Sequence, residues 1–497
     1  MSLQPIGARS TGSDTDAELD TLADGVLMPC FDGVAAPEWL LRRVSGGLGA
    51  VCLFARNIGT PGRLRALTAS LHARRADLVI AIDEEAGDVT RLDAATGSRF
   101  PGAAALGRAD DAELTGQIGR QVGELLRDAG ISLNFAPSAD VAVDRSNPVI
   151  GTRSFGDDPD LVARHATAFL VGQQSAGVHA CVKHFPGHGD TATDSHLSVA
   201  VVASDRDDLE RIAVPPFAAA IAAGVAAVMT GHLVVPAIDQ LPASLSARWT
   251  TEILRNELGF DGVVVTDALE MAAISGSYGI AGGAVLALRA GADLLCLGGE
   301  DAGEVMLDVA RDAIVAAVRG GDLALGRLRE AAARVRTLAV AAAGPAGIDR
   351  TDPAAATKVA TRALQTFGPL PVAGEFVLVL RCDAAGSLAV GDVPWGLAAA
   401  GGRVCERALR RGDPLPTSEI DAAGAVVLLT RDRHRHDWMS GVVTDVRTLR
   451  PDAVLVEMGS APVEAAEAPA IASHGASRAN AAAVLAALGI AVVGPQS

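Results

Sequence analysis

The segment Lys183–His196, KHFPGHGDTATDSH, places one cation, three histidines and two aspartates in a loop broken by Gly and Pro, directly after an apolar run. Residues of these types on a loop behind a buried strand serve proton transfer or ligand contact more readily than packing. Asp194 and His196 stand two apart, a spacing that lets both side chains turn the same way on a loop. A carboxylate beside an imidazole fixes its tautomer, and an imidazole titrates close enough to neutrality to act as acid and then as base. The plainer alternative is a surface Asp and a loop His that never meet. A second apolar run, GVVVTDALEM, ends in Asp267. That carboxylate either caps the helix expected over ALEMAAI or stands at a strand end as a reacting group. Taken together, the two segments suggest an enzyme with a carboxylate nucleophile and a histidine proton donor.

Asp83, in AIDEEAGDVTRL, also ends an apolar run. An ionised carboxylate there either accepts two strong hydrogen bonds from sugar hydroxyls or caps the next helix. Arg153, in VIGTRSFGDDP, is either an exposed loop arginine or a ligand contact, and with Lys183 it is a candidate to meet an anionic substrate. His184, His188 and His196 with Asp190 or Asp194 also admit a zinc or iron reading, but their spacing fits no compact ligand motif, and no metal or cofactor is expected. The glycine run GGLGA near Leu48 precedes a strand instead of following one, which makes it weak as a nucleotide fingerprint.

These residues need a frame that brings them to one place. Short apolar runs alternate with helix-length segments over the first two-thirds of the chain: near Leu27, Cys52, Ile80, Leu133, Val182, Val228, Val264 and Leu295. Helical stretches such as 112–128, 160–174 and 207–223 lie between them. Eight strands with helical crossovers predict a (β/α)8 barrel of the TIM type. Asp83, Arg153, Lys183, His184, His232 and Asp267 all fall just past strand C-termini, the end at which such barrels carry their chemistry.

The predicted organisation is a flexible N-terminus over 1–16, the barrel over 17–343, a linker over 344–358 containing GPAGIDRTDP, and a smaller open α/β sandwich domain over 359–497. Its strand candidates lie near Leu378, Val427, Leu455 and Val492. Its basic cluster Arg431, Arg433, His434, Arg435 and His436 is either a solvated loop or a phosphate or substrate contact.

Composition narrows the partners. With 42 basic and 59 acidic residues the net charge is −17, so no basic stripe exists for nucleic acid or an anionic membrane. Aromatic residues make up 3%, so the cores must be built from Ala, Val, Leu and Ile. The six cysteines lie far apart and form no CxxC pair, which favours buried free thiols. The N-terminal stretch lacks the apolar region of a signal peptide, and a cytoplasmic location is expected. The uncharged stretch 212–238 is punctuated by Pro215, Pro216, Gly224 and Pro236 and contains His232, so a helix and a buried strand account for it better than a membrane span.

The segments LFARNI, NFAPSADV, IGTRSFGDDP, KHFPGHGDTATDSH, LPASLS and ELGFDGVVVTDALEM resemble glycoside hydrolase family 3, in its β-N-acetylglucosaminidase branch. The resemblance implies Asp267 as nucleophile, His196 as general acid/base, Asp194 as its partner, and Asp83, Arg153, Lys183 and His184 as contacts to a terminal N-acetylglucosamine. It implies no metal or cofactor, and it leads to an expected role in releasing that sugar from cell-wall fragments. The chain departs from the family's usual IDQEGGxVxR, reading IDEEAGDVTR: Ala86 replaces a glycine, and Asp88 stands where arginine is frequent. The alternatives are phosphorolysis at the same site, the substrate's own acetamido group as nucleophile, a metal-dependent hydrolase, and a non-catalytic sugar-binding barrel.

Overall fold

The computed structural model describes residues 11–191, 199–299, 303–339, 352–370, 376–384, 386–387, 389–397 and 404–490, with side chains from 17 onward. Each of the eight apolar runs expected in the first two-thirds of the chain forms a parallel strand: β1 Leu27–Pro29, β2 Ala50–Leu53, β3 Val79–Ile82, β4 Leu133–Asn134, β5 His179–Phe185, β6 Ala227–Thr230, β7 Val263–Thr266 and β8 Leu295–Leu297. Strands β2 to β7 form one continuous curled sheet, and β1 pairs with β8. A bridge from Val265 to Leu294 joins β7 to β8, and the Gly49 amide donates to the Asp24 carbonyl between β1 and β2. The result is the expected (β/α)8 barrel.

Alternation along the strands separates two cores. Met28, Ala50, Cys52, Ala81, Leu133, Cys181, Ala227 and Val263 fill the barrel interior. Leu27, Val51, Ile80, Val182, Val228, Val264 and Leu295 pack outward against the helices. Both faces of each strand are therefore buried, which explains why the strands read as unbroken apolar runs. All six cysteines are free thiols, and five of them are buried.

The helices Ala112–Asp128 and Pro159–Ser175 cover neighbouring strands and pack against each other through glycine. A Cβ at Gly119 would sit 2.3 Å from the Phe169 carbonyl oxygen, and one at Gly172 would sit 2.1 Å from that of Gly116. The stretch expected as a helix over 207–223 is helical from Arg206 to Ala222, and a wider π turn over Leu209–Ala213 precedes Pro215 and Pro216. The first helix, Thr11–Asp24, starts inside the 1–16 stretch expected to be flexible and buries Leu19 and Ala23.

Helix Pro353–Ala363 runs through the end of the expected 344–358 linker, opened by Asp352, whose carboxylate accepts from the Ala354 amide, and by proline at the first turn. The second domain is a six-stranded sheet of β9 Gln365–Phe367, β10 Val377–Cys382, β11 Val404–Leu409, β12 Ala425–Thr430, β13 Val454–Glu457 and β14 Ala470–Ala472. Its spatial order is β9-β14-β13-β12-β10-β11, parallel except for β9. Val377, Val379, Val427 and Val456 form one core, and Leu378, Leu380, Leu428 and Leu455 the other, so helices cover both faces. Sequence reading found β10, β12 and β13 but not the short or half-exposed β9, β11 and β14. The run near Val492 lies outside the described residues. Among the described residues no helix is long and apolar enough to cross a membrane.

The two domains touch. Helix Pro353–Ala363 packs on barrel helix Ala103–Ala109, the Arg478 amide donates to the Ser98 carbonyl at 2.9 Å, and Arg91 donates to the Ala389 carbonyl at 3.1 Å.

Gly119→Ala is expected to destabilise the barrel by about 1 to 3 kcal/mol, because the added methyl has backbone and not a yielding side chain in front of it. Chemical denaturation followed by circular dichroism reads this directly; an unchanged midpoint would contradict the close helix contact.

Candidate active site

At the C-terminal mouth of the barrel six side chains, from the loops after β3 and β4 and from strand β5, converge. Lys183, in β5, is 2% exposed and donates from Nζ to Asp83 at 2.5 Å and to Glu85 at 2.6 Å. Arg153 closes the other side of Glu85 with two parallel bonds of 2.9 and 2.7 Å. Its Nη2 also lies 3.4 Å from Nε2 of His184. Nδ1 of His184 donates to Asp140 at 2.7 Å, and Asp140 further accepts from the His188 amide at 2.7 Å and the Ser138 hydroxyl at 2.9 Å.

Each predicted contact residue thus meets the others. Asp83 caps no helix; it faces Lys183. Arg153 is not an exposed loop arginine but a buried one, carried on the short turn Gly151–Arg153. The loop before it is shaped by Asn147, whose carbonyl oxygen accepts from the Val149 and Ile150 amides.

Two buried carboxylates, Glu85 and Asp140, belong to this cluster and were not singled out from the sequence, although both sit in motifs that were: IDEEAG and NFAPSADV. Burial alone would raise both. For Glu85 the charges of Arg153 and Lys183 outweigh it and hold the group far below the usual carboxylate range. For Asp140 the pairing with His184 and the bond from the His188 amide do the same. The cations are reinforced in turn: despite burial, Glu85 and Asp83 push Lys183 and Arg153 upward. Burial and the neighbouring His184 bring His188 down to about 4.

Glu84, next to Glu85, points the other way. Its Oε2 accepts from the Arg91 and Leu92 amides and the Thr90 hydroxyl, which shapes the loop after β3. No cation touches it, and burial pushes it up to about 7. Ala86 takes φ 67°, the left-handed conformation that glycine would adopt more cheaply. Asp88 accepts from the Thr152 hydroxyl at 2.6 Å and, across the domain boundary, from the Ala476 amide at 3.2 Å and Arg431 at 3.3 Å.

Asp267 follows β7 and is partly open to solvent. The helix after it begins only at Ala272, so Asp267 does not cap it; its Oδ1 accepts from the Ala268 amide at 2.8 Å. His232 holds the same turn, donating from Nε2 to the Ala268 carbonyl at 2.9 Å while its Nδ1 faces the Ser244 hydroxyl at 2.8 Å. Asp194 and His196 lie outside the described residues. On one side of them Thr191 is held by Asn147 and His188. On the other, Ala200–Val201 pairs with Leu233–Val234, the strand that starts beside His232. Among the described residues no three His, Cys, Asp or Glu side chains group as a metal site would require.

The sequence profile of the glycosyl hydrolase family 3 N terminal domain matches residues 36–338. The chain belongs to glycoside hydrolase family 3. It is therefore a glycoside hydrolase. A β-hexosaminidase of Nitrosomonas eutropha is 39% identical over 269 residues, 52% of this chain and 76% of that protein. One from Thiobacillus denitrificans is 40% identical over 281 residues, 54% of this chain and 77% of that protein. A solved family 3 β-N-acetylglucosaminidase from Paenibacillus sp. covers both domains: 31% identity, TM-score 0.84, 95% of this chain and 97% of that one.

Adjacent glutamates are expected to respond oppositely to one substitution. Glu85→Gln leaves two buried cations short of a charge and should lose about 3 kcal/mol or more. Glu84→Gln removes a group whose folded-state pKa is raised. Its penalty is absent below the unfolded value and grows as pH rises toward 7, so the variant should gain on the order of 2 kcal/mol at pH 8 and nothing near pH 4. Thermal melts of both variants from pH 4 to 8 check this; parallel curves for Glu84→Gln and the parent would refute it.

Proposed function

We propose that the protein is a retaining exo-β-N-acetylglucosaminidase that removes terminal N-acetylglucosamine. The observation that carries this reading is the buried cluster Asp83, Lys183, Glu85, Arg153, His184 and Asp140 at the barrel mouth that also holds Asp267. Fixed donors and acceptors around one position grip the hydroxyls of a single sugar ring, and a part-exposed carboxylate stands ready at its anomeric carbon. The names of the barrel's relatives support N-acetylglucosamine as that sugar.

Asp267 attacks the anomeric carbon as the glycosidic bond breaks, and His196 protonates the departing oxygen. The result is a glycosyl ester on Asp267. His196 then takes a proton from water, which displaces Asp267 and restores the original anomeric configuration. Asp194 orients His196 and offsets its charge while it carries the proton. Both residues lie in 192–198, and the anchored flanks of that segment support this assignment: one is tied to His188, the other to the strand after His232, which also braces the Asp267 turn. Cell-wall fragments ending in a muramic acid aglycone, met in the cytoplasm, are the proposed substrates; the free, mostly buried thiols suit a reducing compartment.

A 5-fluoro N-acetylglucosamine analogue with a good leaving group should label Asp267, read by peptide mass spectrometry. Label elsewhere, or none with full turnover, would remove the covalent route through this residue. Asp194→Ala should lower turnover of a poor leaving group by about 10²-fold or more, with much weaker effect on a dinitrophenyl glycoside, which needs little protonation. A parental rate on the poor leaving group would remove the Asp194–His196 pair. Product identification with and without phosphate separates hydrolysis from phosphorolysis.

A further inference from the structure

A cavity of about 130 Å³ opens among the helices that cover the barrel outside β5. None of the residues of the sugar cluster lines it. Its walls are the aliphatic side chains of Leu209, Val214, Ile238, Ile253 and Leu258, with the indole of Trp249.

Two of these walls are π turns, which are wider than an ordinary helical turn and rare. In the first, the Val214 amide donates five residues back to the Leu209 carbonyl. In the second, which closes the segment Arg248–Glu257, the Leu258 amide donates to the Ile253 carbonyl at 2.9 Å. Both residues of each bond line the cavity, so the space comes from the widened turns themselves.

Trp249 is 1% exposed and stands edge-on to Phe185, ring centres 5.8 Å apart, which fixes its plane. Its indole nitrogen is buried and finds no acceptor among the described residues. A buried donor without a partner is a standing cost, relieved when an acceptor occupies the adjoining space. The charged groups at the rim are already paired. Arg206 meets Glu210 at 2.6 Å and Glu257 at 3.5 Å, and Arg248 meets Glu257 at 3.4 Å. They offer an ionic ligand no unmatched partner, and the walls favour an apolar one. An apolar cavity of about 150 Å³ is large enough for a benzene-sized ring.

We propose that this cavity binds a small uncharged molecule, one ring in size and mostly apolar, whose single acceptor takes the indole N–H of Trp249. The proposal does not rest on the glycosidase reading, since the site shares no residue with the sugar cluster.

The probes are cyclohexanone and methylenecyclohexane, which share one shape and differ in the acceptor. Ligand-observed NMR titrations of the full chain give the two dissociation constants. Cyclohexanone should bind with a dissociation constant of about 1 mM or tighter. Trp249→Phe keeps an aromatic ring and deletes the N–H. It should shift the ratio of the two constants by about fivefold or more against the ketone. Val214→Phe fills the cavity from its partly buried wall and should abolish binding of both probes, with the fold verified by circular dichroism. Neither probe should be displaced by N-acetylglucosamine. A parent that binds neither probe saturably, as a water-filled cavity would, overturns the assignment. So does a ratio unchanged in Trp249→Phe, or binding that a folded Val214→Phe variant retains.

Discussion

Glu85 is the point on which the candidate active site depends. Lys183 and Arg153 are cations in a place almost without water, and two like charges so enclosed would repel each other and lose hydration without return. Glu85 between them turns that liability into a fixed frame: each cation keeps its charge, and Asp83 and His184 inherit their orientations from it. Two loops and strand β5, distant in sequence, are locked together by one carboxylate. Polar groups set in this way do not need to reorganise when a substrate arrives, which is the condition for stabilising a charged transition state.

Glu84 shows the opposite use of the same side chain. It sits one residue away, faces only amides and a hydroxyl, and serves to fold the loop that presents Asp83 and Glu85. The family's usual glutamine would do this without a titrating group. That a chain tolerates a buried carboxyl here fits a general pattern, in which loops at functional mouths carry the least optimised residues and rigid barrels hold them in place.

Much of the frame was legible because the barrel strands are buried on both faces: eight apolar runs, several of them followed by polar residues, leave few other architectures. Four members of the barrel-mouth cluster, Asp83, Arg153, Lys183 and His184, were legible from the same termini. Glu85 and Asp140 were not, since their importance lies in partners brought near only after the barrel closes. Strands β9 and β14 are three residues each, and β11 carries Glu406 and Arg407 at a sheet edge, so neither length nor periodicity marks them. The departure at Asp88 and the basic run at Arg431 were each visible, but nothing in a linear reading joins positions so far apart.

That link has a consequence for how the two domains hold together. An acidic side chain at 88 is shared by Thr152 on the barrel, Arg431 in the neighbouring sheet domain and the Ala476 amide, and it is almost wholly enclosed. A free-standing barrel would leave this carboxylate facing its own Thr152 with no cation at hand. Position 88 therefore couples the two domains electrostatically: the acid on the barrel loop and the arginine of the sheet domain neutralise each other where neither lies open to water.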